Sequence, residues 1–88
     1  MNVHGPAVRE RQAPLTPREL TVLALMAEGL TAAAIARRLG ISPRTITKHQ
    51  ENLYRKLGTS DRLSAVLRGM VLGVLPYPRS GEPPRTAP

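Results

Sequence analysis

Between Thr31 and Gln50 the chain carries two helical patterns interrupted at Gly40, and the second reopens at Ser42-Pro43 as a basic segment. A glycine supplies the left-handed stop of one helix, and Ser-Pro caps and opens the next. Two short helices joined by so tight a turn cross at a steep angle, the arrangement of a helix-turn-helix spanning residues 31–50.

The flanks extend the motif to four helices. Thr16 can cap a first helix with Pro17 at its first position and Glu19 closing a capping box. Its apolar stripe of Leu15, Leu20, Leu23 and Met26/Ala27 stops at Gly29. The second helix is expected from about Ala32 to Leu39, with Ile35, Ala36 and Leu39 inward; Thr31 caps it alone, because Ala34 cannot supply a capping carboxylate. The third runs from Pro43 to Leu57 before Gly58, with Ile46, Leu53 and Leu57 inward. Ser60 or Asp61 caps a fourth helix through about Leu72. Its apolar positions, Leu63, Val66, Leu67, Met70, Val71 and the following Val74, exceed what one small core can bury, so some must form an interface. The expected fold is all-α, a compact tetrahelical domain over residues 14–75. Residues 1–13 lack a period and read as a flexible arm, and the Pro-rich segment 76–88 reads as a disordered tail.

The domain is basic where the motif lies. Of the formal net charge of +7, most falls between Ala32 and Arg62, where Arg37, Arg38, Arg44, Lys48, Arg55, Lys56 and Arg62 face only Glu51 and Asp61. Such a distribution suits a polyanionic partner. Absence of cysteine excludes disulfides and thiolate metal sites, in keeping with a reducing cytoplasm, and no apolar stretch suggests a signal sequence or a membrane partner. No catalytic, cofactor-binding or metal-binding residue is assigned: six acids are scattered, no phosphate-binding glycine loop is present, and His4 and His49 lack companion ligands. His49 and Tyr54 read as packing residues. With two tyrosines as its only aromatics, the chain offers no stacking platform for single strands, and duplex DNA is the better partner.

In a helix-turn-helix the first helix crosses the duplex backbone and the second enters the major groove. On the third helix of this chain, Arg44, Thr47, Lys48, Glu51 and Arg55 recur every three or four residues opposite the core stripe and form a candidate recognition face. Lys48, within the first two turns, is expected to contact a base or phosphate. Arg44 and Thr45 suit a phosphate at the helix start, and Ser42 serves mainly as a cap. Arg55 and Lys56 lie far along the helix, in reach of backbone at most. Glu51 either accepts a hydrogen bond from cytosine N4 or simply repels phosphate. The candidate DNA-binding set is Ser42, Arg44, Thr45, Thr47, Lys48, Glu51, Asn52 and Arg55.

Four ordered blocks, Leu15-Thr-Pro-Arg-Glu-Leu20, Ala27-Glu-Gly-Leu30, Ile35-Ala-Arg-Arg-Leu-Gly-Ile-Ser-Pro-Arg-Thr45 and Asn52-Leu-Tyr-Arg-Lys-Leu-Gly58, resemble the LuxR-type (GerE-like) helix-turn-helix domain. The resemblance implies sequence-specific binding of double-stranded DNA by a bacterial-type LuxR family transcriptional regulator. It further implies a recognition helix at about 43–57 in the major groove and a two-fold dimer through the helix at about 61–72, with Val66, Leu67, Met70, Val71 and Val74 as candidate interface residues. RNA polymerase and other LuxR-type regulators are further candidate partners. The chain departs from the family pattern at Ala32-Ala33-Ala34, where a polar residue, a lysine and a glutamate are frequent, and at Thr47 and Glu51, where basic or small polar residues are common. Those departures support an alternative, an interaction module that heterodimerises with full-length LuxR-type regulators without strong DNA binding. Region four of a sigma factor fits the Thr16 to Leu20 block less well.

Overall fold

In the computed structural model, which describes residues 14–76, side-chain caps set where each helix begins. Thr16 Oγ1 accepts from the Glu19 amide at 3.1 Å while the Thr16 amide donates to Glu19 Oε1 at 2.9 Å, a closed capping box ahead of α1 (Pro17–Ala27). Thr31 accepts from the Ala34 amide to open α2 (Ala32–Leu39), and Ser42 from the Thr45 amide to open α3 (Pro43–Leu57). Of the two candidate caps for α4 (Arg62–Val71), Asp61 is the one used; its carboxylate takes the Ser64 amide at 2.8 Å and the Ser64 hydroxyl at 3.0 Å. Those two bonds hold the exposed Asp61 carboxyl below its ordinary range. The expected arm at 1–13 and the tail after Pro76 lie outside the described residues.

The helices assemble around α1 and α3, each of which touches the other three, whereas α2 and α4 share no contact. Val22, Leu23, Met26, Ile35, Ile46 and Leu53 are fully buried at their junction. Burial of Ile35, Ala36, Ile46, Leu53 and Leu57 follows the periodicity, and Leu39 packs half-buried against the same core. In α1 the buried face is wider than the expected stripe. Val22 and Leu25 are also buried and Ala27 is exposed, because three neighbours cover this helix from several directions.

Two contacts between distant segments reinforce the packing. Lys56 Nζ, near the end of α3, lies 2.9 Å from Glu19 Oε1 and donates to the Pro14 carbonyl at 3.3 Å. Burial pushes the Glu19 carboxyl up, but the Lys56 ammonium and the Thr16 amide and hydroxyl together outweigh it and hold the group below its ordinary range. Arg62 Nη1 donates to the Met26 carbonyl at 2.9 Å, tying the start of α4 to the end of α1. Both cations belong to the basic surplus between Ala32 and Arg62, and both are engaged internally.

The end of α4 closes the core from below. Gly73 takes φ +82°, and the amides of Gly73 and Val74 bond the carbonyls of Met70 and Gly69 at 3.1 and 2.9 Å, a Schellman turn. The turn returns Leu75 to the core, where it is buried against Gly69. A Cβ on Gly69 would stand 2.9 Å from Leu75 Cδ1 and 3.0 Å from Leu23 Cδ2, and Leu23 is itself fully buried. Gly69→Val is therefore expected to destabilise the domain by about 2–3 kcal/mol, read as a lower urea midpoint. An unchanged midpoint would mean that Leu75 does not dock there.

Candidate nucleic-acid interface

Residues of α3 face two sides, with several half-buried between them. Ile46, Leu53 and Leu57 point into the core, while Arg44, Thr45, Thr47, Lys48 and Glu51 are exposed and line one shallow furrow. All five lining residues belong to the same helix, so the furrow has no second wall to enclose a small molecule. It is a strip that a large partner can cover.

Local hydrogen bonds fix the start of this strip. Pro43 has no amide hydrogen, the Thr45 amide is taken by Ser42 Oγ at 3.1 Å, and the Ile46 amide by the Ser42 carbonyl at 3.1 Å. The Arg44 amide is left open at the positive end of the helix, which is a favourable place for an anion. The Ser42 and Thr45 hydroxyls lie 2.9 Å apart and share one hydrogen bond. Thr47 Oγ1 donates back to the Pro43 carbonyl at 3.1 Å. Of the eight residues in the candidate set, Ser42, Asn52 and Arg55 do not line the furrow. Asn52 is half-buried and accepts from Arg55 Nη1 at 3.1 Å.

Around the strip, the exposed Arg37 and Arg38 end α2 and place positive charge beside its terminal carbonyls. At the α2 start, Ala33 is exposed and Ala32 and Ala34 half-buried, so that turn offers only backbone and methyl groups. Lys56 is committed to Glu19 and Pro14, and its side chain is largely covered. Periodicity along α3 gives no sign of this role, because the partner lies 37 residues earlier.

The second surface is on α4. Leu63, Leu67 and Val71, spaced by four residues, are 68%, 51% and 63% exposed, and Leu72 and Val74 beside them are 48% and 42% exposed. Of the candidate interface residues, Leu67, Val71 and Val74 belong to this stripe, but Val66 and Met70 do not stand free on it. They are half-buried against the domain's own core, because the small Ala65 and Gly69 let that side of α4 approach closely. Leu63 and Leu72 take their place outside. The four-residue step back from Leu67 is the signal that identifies Leu63.

Among the described residues no cluster of His, Cys, Asp and Glu could hold a metal, and no helix is long and apolar enough to cross a membrane. His49 and Tyr54 are both half-buried on α3, and Tyr54 packs against the core.

The sequence matches the family GerE, described as bacterial regulatory proteins, luxR family, over residues 13–68. It is 43% identical over 67 residues to the probable transcriptional regulatory protein NarL of Mycobacterium tuberculosis, covering 72% of this chain and 31% of that protein. It is also 43% identical over 58 residues to the transcriptional regulatory protein UhpA of Escherichia coli, covering 66% and 30%, and 39% identical over 67 residues to the transcriptional regulatory protein YdfI of Bacillus subtilis, covering 76% and 32%. The chain thus spans about a third of the length of these relatives. No solved structure gives a significant match.

Proposed function

The chain belongs to the luxR family of bacterial regulatory proteins, and on that premise we propose that its four-helix domain binds double-stranded DNA sequence-specifically, with α3 in the major groove. The observation that carries this reading is the exposed strip of Arg44, Thr45, Thr47, Lys48 and Glu51 on the helix that follows the tight turn. Phosphate at the Arg44 amide and guanidinium would fix the register, and the side chains one and two turns further along would reach base edges.

Pairing through α4 fits the same reading. A two-fold axis along the Leu63, Leu67 and Val71 stripe lets each copy cover the apolar face of the other and presents two α3 helices to paired half-sites. Leu67→Glu or Val71→Glu should weaken association by about 100-fold or more, since each buried aliphatic side chain contributes about 1.5–3 kcal/mol and a two-fold interface loses it twice. Sedimentation reads this effect, with circular dichroism expected to stay helical because both side chains are already exposed. An unchanged association state would place the interface elsewhere.

The direct test of function is selection from random duplex DNA at low salt, followed by titration of the enriched sequence against a scrambled duplex. An enriched inverted repeat is the expected result. The exposed methyl surface at Ala33 favours a second reading, an interaction module that pairs through α4 with larger LuxR-type regulators. Capture of such a regulator with no duplex shift at low salt would select it.

A further inference from the structure

Most polar side chains on the outer face of α3 already have partners. Thr47 bonds the Pro43 carbonyl, Ser42 and Thr45 bond each other, and Asn52 accepts from Arg55. Of the exposed polar residues of α3, Arg44, Lys48 and Glu51 are left without any, and of these Glu51 is the anomaly. A carboxylate four residues before an arginine has the order and spacing that favour a helical ion pair. Arg55 stands at that spacing, yet its Nη1 donates to Asn52 Oδ1 at 3.1 Å. Lys48, three residues before Glu51, does not pair with it either; the one ion pair among the described residues joins Lys56 to Glu19. Glu51 is thus an exposed, uncompensated carboxylate in a furrow whose other charges are cationic.

On a surface facing a polyanion such a group loses free energy wherever it meets phosphate and gains only where it meets a hydrogen-bond donor. The major-groove donors are the exocyclic amines of cytosine and adenine. Adenine sets its N7 acceptor beside the amine, which repels a carboxylate, whereas cytosine offers N4 alone. We infer that Glu51 is a specificity-determining residue that selects a cytosine within each half-site, an inference that rests on the DNA-binding reading above. Its position agrees. Glu51 lies eight residues beyond Pro43, about 12 Å along the helix, within a groove about 12 Å wide. Lys48 is about 4.5 Å nearer the start, close to the roughly 3.4 Å step between successive bases on a strand, so the two side chains address neighbouring positions.

The test is duplex selection with the unaltered chain, Glu51→Gln and Glu51→Ala at one salt concentration, followed by titration of the enriched site with its cytosine replaced. The unaltered chain should prefer cytosine at one fixed position by roughly 10- to 100-fold. Glu51→Ala should lose that preference and keep the others, and Glu51→Gln should shift it towards adenine, whose N6 and N7 a side-chain amide matches. Unchanged profiles in both variants, with uniformly tighter binding to every duplex, would make Glu51 a repulsive charge only and overturn the inference. An unaltered chain that enriches no sequence would overturn the DNA-binding reading itself, and this inference with it.

Discussion

Replacing Lys48 with alanine is expected to lower affinity for the selected duplex by about 100-fold or more while leaving the helical circular dichroism intact. A good side-chain contact to a base contributes about 1–3 kcal/mol, and a dimer loses it at both half-sites. Lys48 is exposed and, among the described residues, bonds nothing within its own domain, so its removal leaves packing unchanged. Salt dependence identifies which contact was lost. If each subunit neutralises on the order of four phosphates, the unaltered dimer should show a log–log slope of roughly −7. A Lys48 bound to phosphate takes about 2 from that magnitude when both copies are removed, whereas a Lys48 bound to a base leaves the slope and relaxes preference at one position. Equal affinity in the variant would take Lys48 out of the interface, and loss of helicity would make it a structural residue.

Glu19→Ala should destabilise the domain by about 2–4 kcal/mol, since it strands the partly buried Lys56 and opens the capping box of α1. A domain of about sixty residues has about 3–9 kcal/mol in total, so this variant stands near unfolding at room temperature. Glu19→Gln separates the two losses. Its side-chain oxygen still accepts from the Thr16 amide, so only the charge pairing is lost, on the order of 1 kcal/mol. The sign with pH follows from the direction of the shift. Glu19 is held below its ordinary value of 4.5, so its contribution is fully present above that value and is lost as pH falls through the lowered folded value. Urea midpoints of the unaltered chain should therefore fall below about pH 4.5, and those of Glu19→Gln should fall less, with Asp61 contributing in the same direction. Parallel acid limbs in the two proteins would show that the Lys56 contact does not stabilise the fold.

Local chemistry was the legible part of this chain. Caps act over three residues, so Thr16 with Glu19, Thr31, and Ser42 announce their helices, and the glycines that follow mark the ends. The core stripe of α3 was equally plain, because fifteen residues give Ile46, Leu53 and Leu57 time to repeat. Legibility fails where the partner is distant. Nothing in the period of α3 distinguishes Lys56, which faces Glu19, from Arg55, which does not. On α4 the apolar residues outnumber one face, and periodicity alone cannot set which way the helix is turned; the small Ala65 and Gly69 decide it, placing Val66 and Met70 partly inward and Leu63 outward. The burial of Leu75 was not readable, because the apolar residue that a Schellman turn usually packs is the one directly after the glycine, and here that residue, Val74, is exposed. As for the furrow, helical spacing brought Arg44, Thr47, Lys48 and Glu51 to one face, but only the hydrogen bonds show which of their neighbours are already occupied.

That the furrow lies on α3 and the apolar stripe on α4 has a consequence for how such a domain can diverge. On the proposed reading, the distance and rotation between half-sites are set by how two α4 helices cross, and the letters within each half-site by α3. Substitutions in the Leu63 to Val74 stripe can then alter operator spacing while the preferred letters persist, and substitutions along the furrow can change the letters at constant spacing. The fold keeps ruler and alphabet on separate helices.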